Sequence, residues 1–256
     1  MTEYKCANNN YSPFEHTIES MLERQTDEFD FLSNSTTVSI VGVDNNWGET
    51  YIHFLLNEFP EFVKNVQDGM YTSIFNVFHS IGSPKLFYSD IMNGFTNANT
   101  IRYVYHALLI RRYMKEKFPS TKLQVVEIGG GYGGLCFWLS ILAPECIQTY
   151  EICDLKIVGC LQKRCLDKWN IACSYFNSPS EWKKSEYPTF VISNYAYSEF
   201  NSFYQDLYKD TILKDSEAGF MIWNNWTGIY KFTELPLTIE KERPSFAQNI
   251  NLFLYF

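Results

Sequence analysis

No apolar run in the chain approaches the ~20 residues that a membrane-spanning helix requires. The opening stretch, MTEYKCANNNYSPFEHTIES, has neither the basic n-region nor the apolar h-region of a secretory leader. No two cysteines stand at Cys-x-x-Cys spacing, and no histidine completes a zinc-finger pattern; seven cysteines, an odd number, are scattered at positions 6, 136, 146, 153, 160, 165 and 173. They read as reduced, mostly buried thiols, and with the missing leader they place the chain in a reducing cytoplasm. Basic residues are also short: 21 Lys+Arg against 29 Asp+Glu leave a formal net charge of -8, and no Lys/Arg stripe offers the positive field that a phosphate backbone needs. Nucleic acid is therefore a poor substrate. Internal repeats and low-complexity tracts are absent.

Aromatic residues are plentiful. Twenty-one Phe, 18 Tyr and 6 Trp in 256 residues exceed what a core of this size requires, so most pack and the surplus can wall a substrate pocket. Organisation changes near residue 120. In residues 1–120, Phe14, Ile18, Met21 and Leu22 follow helical spacing, as do Tyr51, Leu55 and Phe59, and Ile101 to Phe118 reads as a long amphipathic helix. Turn signals stand at Gly82-Ser83-Pro84 and Asn93-Gly94. In residues 121–256, strands are predicted at Leu123–Ile128, Ile147–Ile152, Ile171–Tyr175, Phe190–Ser193 and Gly219–Trp223, with helices after the first, second and fourth. Such alternation gives a parallel, doubly wound α/β sheet. The closing pieces LTIEKERP and NINLFLYF lie too close for a crossover helix and should pair antiparallel at the sheet edge. The expected layout is a helical N-terminal cover on a Rossmann-like catalytic domain.

The stretch LQVVEIGGGYGGLCFWLS carries the chemistry. Its glycines satisfy G-x-G-x-x-G at 129, 131 and 134, with Asp154 twenty residues beyond, which alone would fit an NAD-dependent oxidoreductase. The same letters satisfy E-x-G-x-G-x-G, the end of the first strand in class I S-adenosylmethionine methyltransferases. Glu127 separates the two readings: a carboxylate beside the loop repels a pyrophosphate but attracts the amino and sulfonium cations of S-adenosylmethionine. The long helical segment ahead of the strand, and the antiparallel ending, point the same way.

The set VVEIGGGYGGLC, YEICDLKIV, FVISNYAYSEF, MIWNNW and IEKERPSFAQNINLFLYF resembles the sugar O-methyltransferases of bacterial and viral glycan-synthesis clusters. The likeness runs from about residue 80 to the C-terminus, and its specific part is the S-N-Y-A-x-S-E segment. Lys156 departs from it, standing where related plant-type enzymes tend to have Pro. The resemblance implies a Rossmann-like class I methyltransferase fold, a mostly parallel seven-stranded sheet with an antiparallel C-terminal strand. It also implies S-adenosyl-L-methionine as cofactor and a sugar nucleotide or glycan acceptor; a homodimer is the expected assembly.

In such a sheet the ligand lies across the C-terminal ends of the strands. Gly129, Gly130, Gly131 and Tyr132 are thus expected to line the methionine part, with Glu127 near its amino group and Asp154 accepting the ribose hydroxyls; Glu151 competes from inside the strand. Asn177 and Ser178 are assigned to the adenine. Arg102, with Tyr103, is placed over the cofactor carboxylate. Asn194 ends the fourth strand at the transfer position. A sugar hydroxyl must lose its proton as it attacks, so a base or a metal is needed; Glu199, His106 and His79 are the candidate bases. Alternative roles stand beside these: Asp154 as a helix cap, the histidines as packing residues, Glu199 as an acid in the first turn of a helix from Ser202. Asn224 and Asn225 offer amides to a hydroxyl-rich substrate. No acidic cluster of metal-binding geometry stands out.

Overall fold

The computed structural model describes residues 12–23, 30–37, 42–224, 228–244 and 251–256. Its centre is β3 (Leu123–Ile128), whose six residues LQVVEI are all buried. A run this apolar and β-branched suits a strand covered on both faces. It pairs in parallel with β4 (Ile147–Cys153) on one side and β6 (Thr189–Asn194) on the other. The sheet extends through β5 (Ser174–Phe176) beyond β4, and through β7 (Ala218–Trp223), β9 (Leu252–Tyr255) and β8 (Thr238–Lys241) beyond β6. Its order is β5-β4-β3-β6-β7-β9-β8, with β9 antiparallel to both its neighbours. This is the mostly parallel seven-stranded sheet with an antiparallel closing strand that the sequence leads one to expect.

The third predicted strand is shorter and later than its sequence indicates. Ile171 donates its N–H to Leu166 O at 2.9 Å and Asn170 adopts φ 56°, so these residues close the preceding helix and pairing begins only at Ser174.

Period-2 alternation sorts the strands' side chains into two cores. Val125, Phe190 and Phe220 face one cluster, while Val126, Val191 and Met221 face the other. On the first face lie α6 (Gly134–Leu142) and α7 (Lys156–Lys168); residues of α9 (Ser202–Thr211) enter the second, behind the short α8 (Ala196–Glu199).

Ahead of the sheet run α1 (Ser12–Glu23), α2 (Gly48–Glu58), α3 (Pro60–Gln67), α4 (Thr72–His79) and α5 (Ala98–Lys117). Asn97 caps α5, its Oδ1 accepting from Thr100 N at 2.8 Å. The predicted amphipathicity of this helix fails over its first half: among residues 98–110 only Arg102 is not fully buried. Packing against α2, α6 and the sheet on several sides leaves it no solvent face there. Asn93-Gly94 is a turn as expected, with Asn93 at φ 49°, but it also joins two strands the sequence did not announce, β1 (Phe87–Ser89) and β2 (Gly94–Thr96). Three residues are too few to display an alternating pattern. Ile18, Tyr51 and Ile101 share one buried cluster with Val125, Ile192 and Phe253, so the helical segment and the sheet have a common core.

Among the described residues, no helix is long and apolar enough to cross a membrane. Six cysteines fall among them and all are free, four buried, with Cys173 partly and Cys160 fully exposed.

Candidate functional site

A cavity of about 200 Å³ lies over the C-terminal ends of β3, β4 and β6. Its floor is the glycine loop. Gly129, Gly131 and Gly133 all adopt positive φ, at 77°, 57° and 88°. At Gly129 close approach matters as much as φ: a Cβ there would lie 2.2 Å from Ala196 Cβ, so the loop after β3 and the turn after β6 touch only because this residue has no side chain. That contact draws the two chemical ends of the cavity together.

One end is acidic. Glu127, the penultimate residue of β3, is 2% exposed, lines the cavity and accepts from Tyr150 Oη at 2.9 Å through Oε2. Burial pushes its carboxyl up to about 8, against that hydrogen bond and with help from nearby Asp154. Among the described residues no cation pairs with it. Asp154 follows β4 and is held rigidly: Oδ2 accepts from Gly130 N at 2.9 Å and Gln162 Nε2 at 2.7 Å, and Oδ1 from Leu155 N at 2.8 Å. Burial raises it to about 6, the hydrogen bonds limiting the rise. The helix-cap role is not met: Leu155 is the N-cap residue of α7, that helix has no side-chain cap bond, and the Asp154 carboxylate, bonded to Leu155 N–H, lines the cavity instead. Gln162 clamps Asp154 to the loop, since it also donates to Gly131 O at 3.1 Å. Gln162 carries little signal in the sequence; its place on the second turn of the helix that follows Asp154 is what could have found it. Asn177 lines the cavity and donates to Asp154 O at 3.2 Å, whereas Ser178 caps the 3₁₀ turn at Pro179 and does not line it.

The opposite end is built from α5 and the turn after β6. Arg102, Tyr103, His106, Asn194, Tyr195 and Glu199 line it. Arg102 donates to Asn99 Oδ1 at 2.7 Å, and its guanidinium sits 5.6 Å from the Tyr103 ring centre and 5.9 Å from that of Tyr195. Tyr103 lies between the two ends: burial pushes its phenol up to about 12, Arg102 easing the shift and Glu127 adding to it. His106 Nδ1 is 3.4 Å from Asn194 Nδ2, while His106 Nε2 and Asn194 Oδ1 are buried with no partner among the described residues. Burial, reinforced by Arg102, lowers His106 well below the ordinary imidazole range. It is thus neutral, its Nδ1 accepting from Asn194. Glu199 ends α8 and accepts from Asn224 Nδ2 at 2.8 Å; it precedes the helix at Ser202 rather than standing in its first turn. Asn224 itself is buried and occupied by this bond and by Ser198; Asn225 lies outside the described residues.

Two expected site residues are elsewhere. Tyr132, flanked by left-handed Gly131 and Gly133, turns its ring away from the cavity into an aromatic cluster, 5.0 Å from Phe31 and 5.6 Å from Tyr103, and accepts from Asn99 Nδ2 at 3.2 Å. His79 is paired with Thr100 Oγ1 at 2.9 Å outside the cavity, and burial lowers it to about 4. It is a packing histidine. Conversely, Phe200, Tyr204 and Tyr208 line the cavity unannounced, since one sequence cannot separate wall aromatics from core aromatics. No group of three or more His, Cys, Asp or Glu able to hold a metal occurs among the described residues.

No protein-family model matches the chain, and no curated protein does. Solved structures resemble it. The plantazolicin methyltransferase BpumL in complex with SAH is 13% identical, covering 61% of this chain and 83% of its own, at a TM-score of 0.44. The PH0226 protein from Pyrococcus horikoshii OT3 is 10% identical over 60% of this chain and 90% of its own, at 0.43. The Pyrococcus abyssi tRNA (uracil-54, C5)-methyltransferase in complex with S-adenosyl-L-homocysteine is 12% identical over 62% and 38%, at 0.42.

Proposed function

We propose that this chain is an S-adenosylmethionine-dependent O-methyltransferase that transfers a methyl group to a sugar hydroxyl, on a sugar nucleotide or a glycan end, in glycan or polysaccharide biosynthesis. The observation that carries the cofactor reading is the buried carboxylate of Glu127, set beside the glycine loop with no cation paired to it among the described residues. A pyrophosphate there would meet Glu127 and Asp154 together, two carboxylates in a low-dielectric wall, whereas a ligand carrying an ammonium and a sulfonium is attracted. This argues against the nicotinamide reading.

The residues fit that ligand. Glu127 would hold its amino group, Gly129, Gly130 and Gly131 its methionine backbone, and Asp154, fixed by Gln162 and Gly130 N–H, its ribose hydroxyls. Arg102 would take its carboxylate. When bound, S-adenosylmethionine supplies an electrophilic methyl group. The protein's share is to orient the acceptor in line and to exclude water. Asn194, pinned by neutral His106, presents an Oδ1 with no partner among the described residues, which can accept from a hydroxyl of the acceptor beside the one that attacks. His106 acts as this partner and not as the base, because protonating it beside Arg102 in a buried site is unfavourable. The sugar assignment is supported by the S-N-Y-A-x-S-E likeness and by the polar lining of the acceptor end. An amine or phosphorylated group is the alternative acceptor, and Asn194 Oδ1 would serve an N–H equally.

The test is incubation with S-adenosylmethionine and a panel of nucleotide sugars and oligosaccharides, read by mass spectrometry. A product one CH₂ heavier, carrying an O-methyl sugar, is expected. Methylation of amines alone would overturn the sugar assignment.

A further inference from the structure

Tyr195 follows the last residue of β6 and is held in an unusual way. Its backbone has a positive φ, at φ 70° and ψ -37°, a conformation that costs an aromatic residue energy and that proteins retain chiefly at functional sites. Three bonds keep it there. Its N–H donates to Ile222 O at 2.8 Å, its carbonyl accepts from Ser198 Oγ at 2.6 Å, and its phenolic Oη donates to Oε1 of Glu242. Glu242 lies 47 residues further along the chain, just past β8, and is 2% exposed. Its Oε2 accepts from Asn251 Nδ2 at 2.8 Å. Tyr195 lines the cavity and Glu242 stands behind it. A buried carboxylate bonded to a strained tyrosine that lines the cavity is more than packing requires.

We propose that Tyr195 is a catalytic residue that takes the proton from the methyl acceptor while Glu242, behind it, receives the phenolic proton. This rests on the methyl-transfer reading above. As the acceptor oxygen's lone pair forms the new O–CH₃ bond, the S–CH₃ bond breaks and its electron pair stays on sulfur, which becomes a neutral thioether. The acceptor's proton passes to Tyr195 Oη, and the proton that Tyr195 donated to Glu242 passes fully to Oε1. Glu242 ends neutral, and once the product has left its proton returns through Tyr195 to the water that refills the cavity.

The surroundings suit this direction of transfer. The groups that face Glu242 are Tyr195, Tyr51 of α2, Arg102 of α5 and Asn251 ahead of β9. Burial raises Glu242 above the ordinary carboxylate range, with Tyr195, Asn251 and Arg102 opposing, so the proton is well held there. His106 faces the opposite bias. Glu199 ends a helix and accepts from Asn224, so it keeps one carboxylate oxygen engaged. Tyr195 and Glu242 form a ready donor chain.

The experiment uses the full chain, wild type and the variants Tyr195→Phe and Glu242→Gln, with S-adenosylhomocysteine as calorimetric probe and S-adenosylmethionine plus a panel of nucleotide-activated and free hexoses as assay. Both variants are expected to bind S-adenosylhomocysteine within about threefold of wild type while kcat falls about 100-fold or more. The rate of wild type should rise with pH through one ionisation that Glu242→Gln removes. In mixtures of light and heavy water, single-turnover rates of the wild type should depend on the deuterium fraction with two protons in flight; this needs no variant to fold. Retention of kcat by Tyr195→Phe within about threefold, or a one-proton dependence, overturns the assignment alone. Loss of S-adenosylhomocysteine affinity in both variants also overturns it, marking the pair as structural. No transfer by wild type to any hydroxyl overturns the proposed function, and this assignment with it.

Discussion

The two ends of the cavity are built in different ways. The cofactor end is local: Glu127, the glycine loop, Asp154 and Gln162 fall within one β-α-β-α unit, and their hydrogen bonds close a rigid frame around Gly130 and Gly131. The acceptor end is assembled from afar. Arg102 and His106 come from α5, Asn194 and Tyr195 from β6 and its turn, and Glu242 from beyond β8. The first end is held by bonds between residues near in sequence and carries two carboxylates and no cation among the described residues. The second is held by bonds between distant elements, carries a guanidinium and a neutral imidazole beside Glu199 and Glu242, and leaves Asn194 Oδ1 and His106 Nε2 without partners among the described residues. A fixed frame suits a ligand that never changes. On the proposed function, assembly from distant elements suits the part of a site that sets which acceptor is used.

Breaking the frame should have the largest effect. Gly129→Ala puts a Cβ against Ala196 and a non-glycine residue at φ 77°, which costs about 3 kcal/mol from strain and overpacking. Affinity for S-adenosylhomocysteine, measured by calorimetry, should drop about 100-fold with a lower melting temperature. Asp154→Ala removes one charged acceptor and should weaken the same binding by about 10- to 100-fold at pH 8.

Next comes the pH dependence of Glu127. Its carboxyl, at about 8, is largely protonated in the ligand-free protein at pH 6 and ionised at pH 9, so S-adenosylhomocysteine should bind more tightly as pH rises. Glu127→Gln should remove most of that slope, costing about tenfold in affinity at pH 9 and little at pH 6. The sign for stability is the reverse. A carboxyl raised in the folded state favours folding below its unfolded value, and this contribution is lost as pH climbs to about 8. The ligand-free melting temperature should therefore fall between pH 5 and pH 8, and fall less in Glu127→Gln.

The smallest effect is expected at His79. His79→Gln loses one bond to Thr100, about 1 kcal/mol of stability, and should leave S-adenosylhomocysteine binding unchanged.

This contrast also explains what could be read in the sequence. The strands β6 and β7 announce themselves as apolar runs and β3 nearly so, β4 is marked by its place before the next helix, and the glycine loop with Glu127 and Asp154 is legible because its partners are near in sequence. Tyr132 was misplaced because the direction of a side chain depends on the φ of its neighbours, which letters alone do not give. The burial of the first half of α5 was hidden because Arg102, Tyr103 and His106 look polar in a window average, while the fold encloses them. The hairpin at Asn93-Gly94 was too short for its pattern to show. Glu242 had no local signal at all: its meaning lies in Tyr195, which only the closing strands bring within reach.

The central claim is that Glu127 makes the loop a site for a cationic ligand. It is tested most directly by titrating the wild-type protein with S-adenosylhomocysteine and, separately, with NAD in one calorimetric series at pH 6, 7.5 and 9. The account predicts one site for S-adenosylhomocysteine, tightening with pH, and no heat from NAD. Binding of NAD without S-adenosylhomocysteine, or S-adenosylhomocysteine affinity that falls as pH rises, would contradict it.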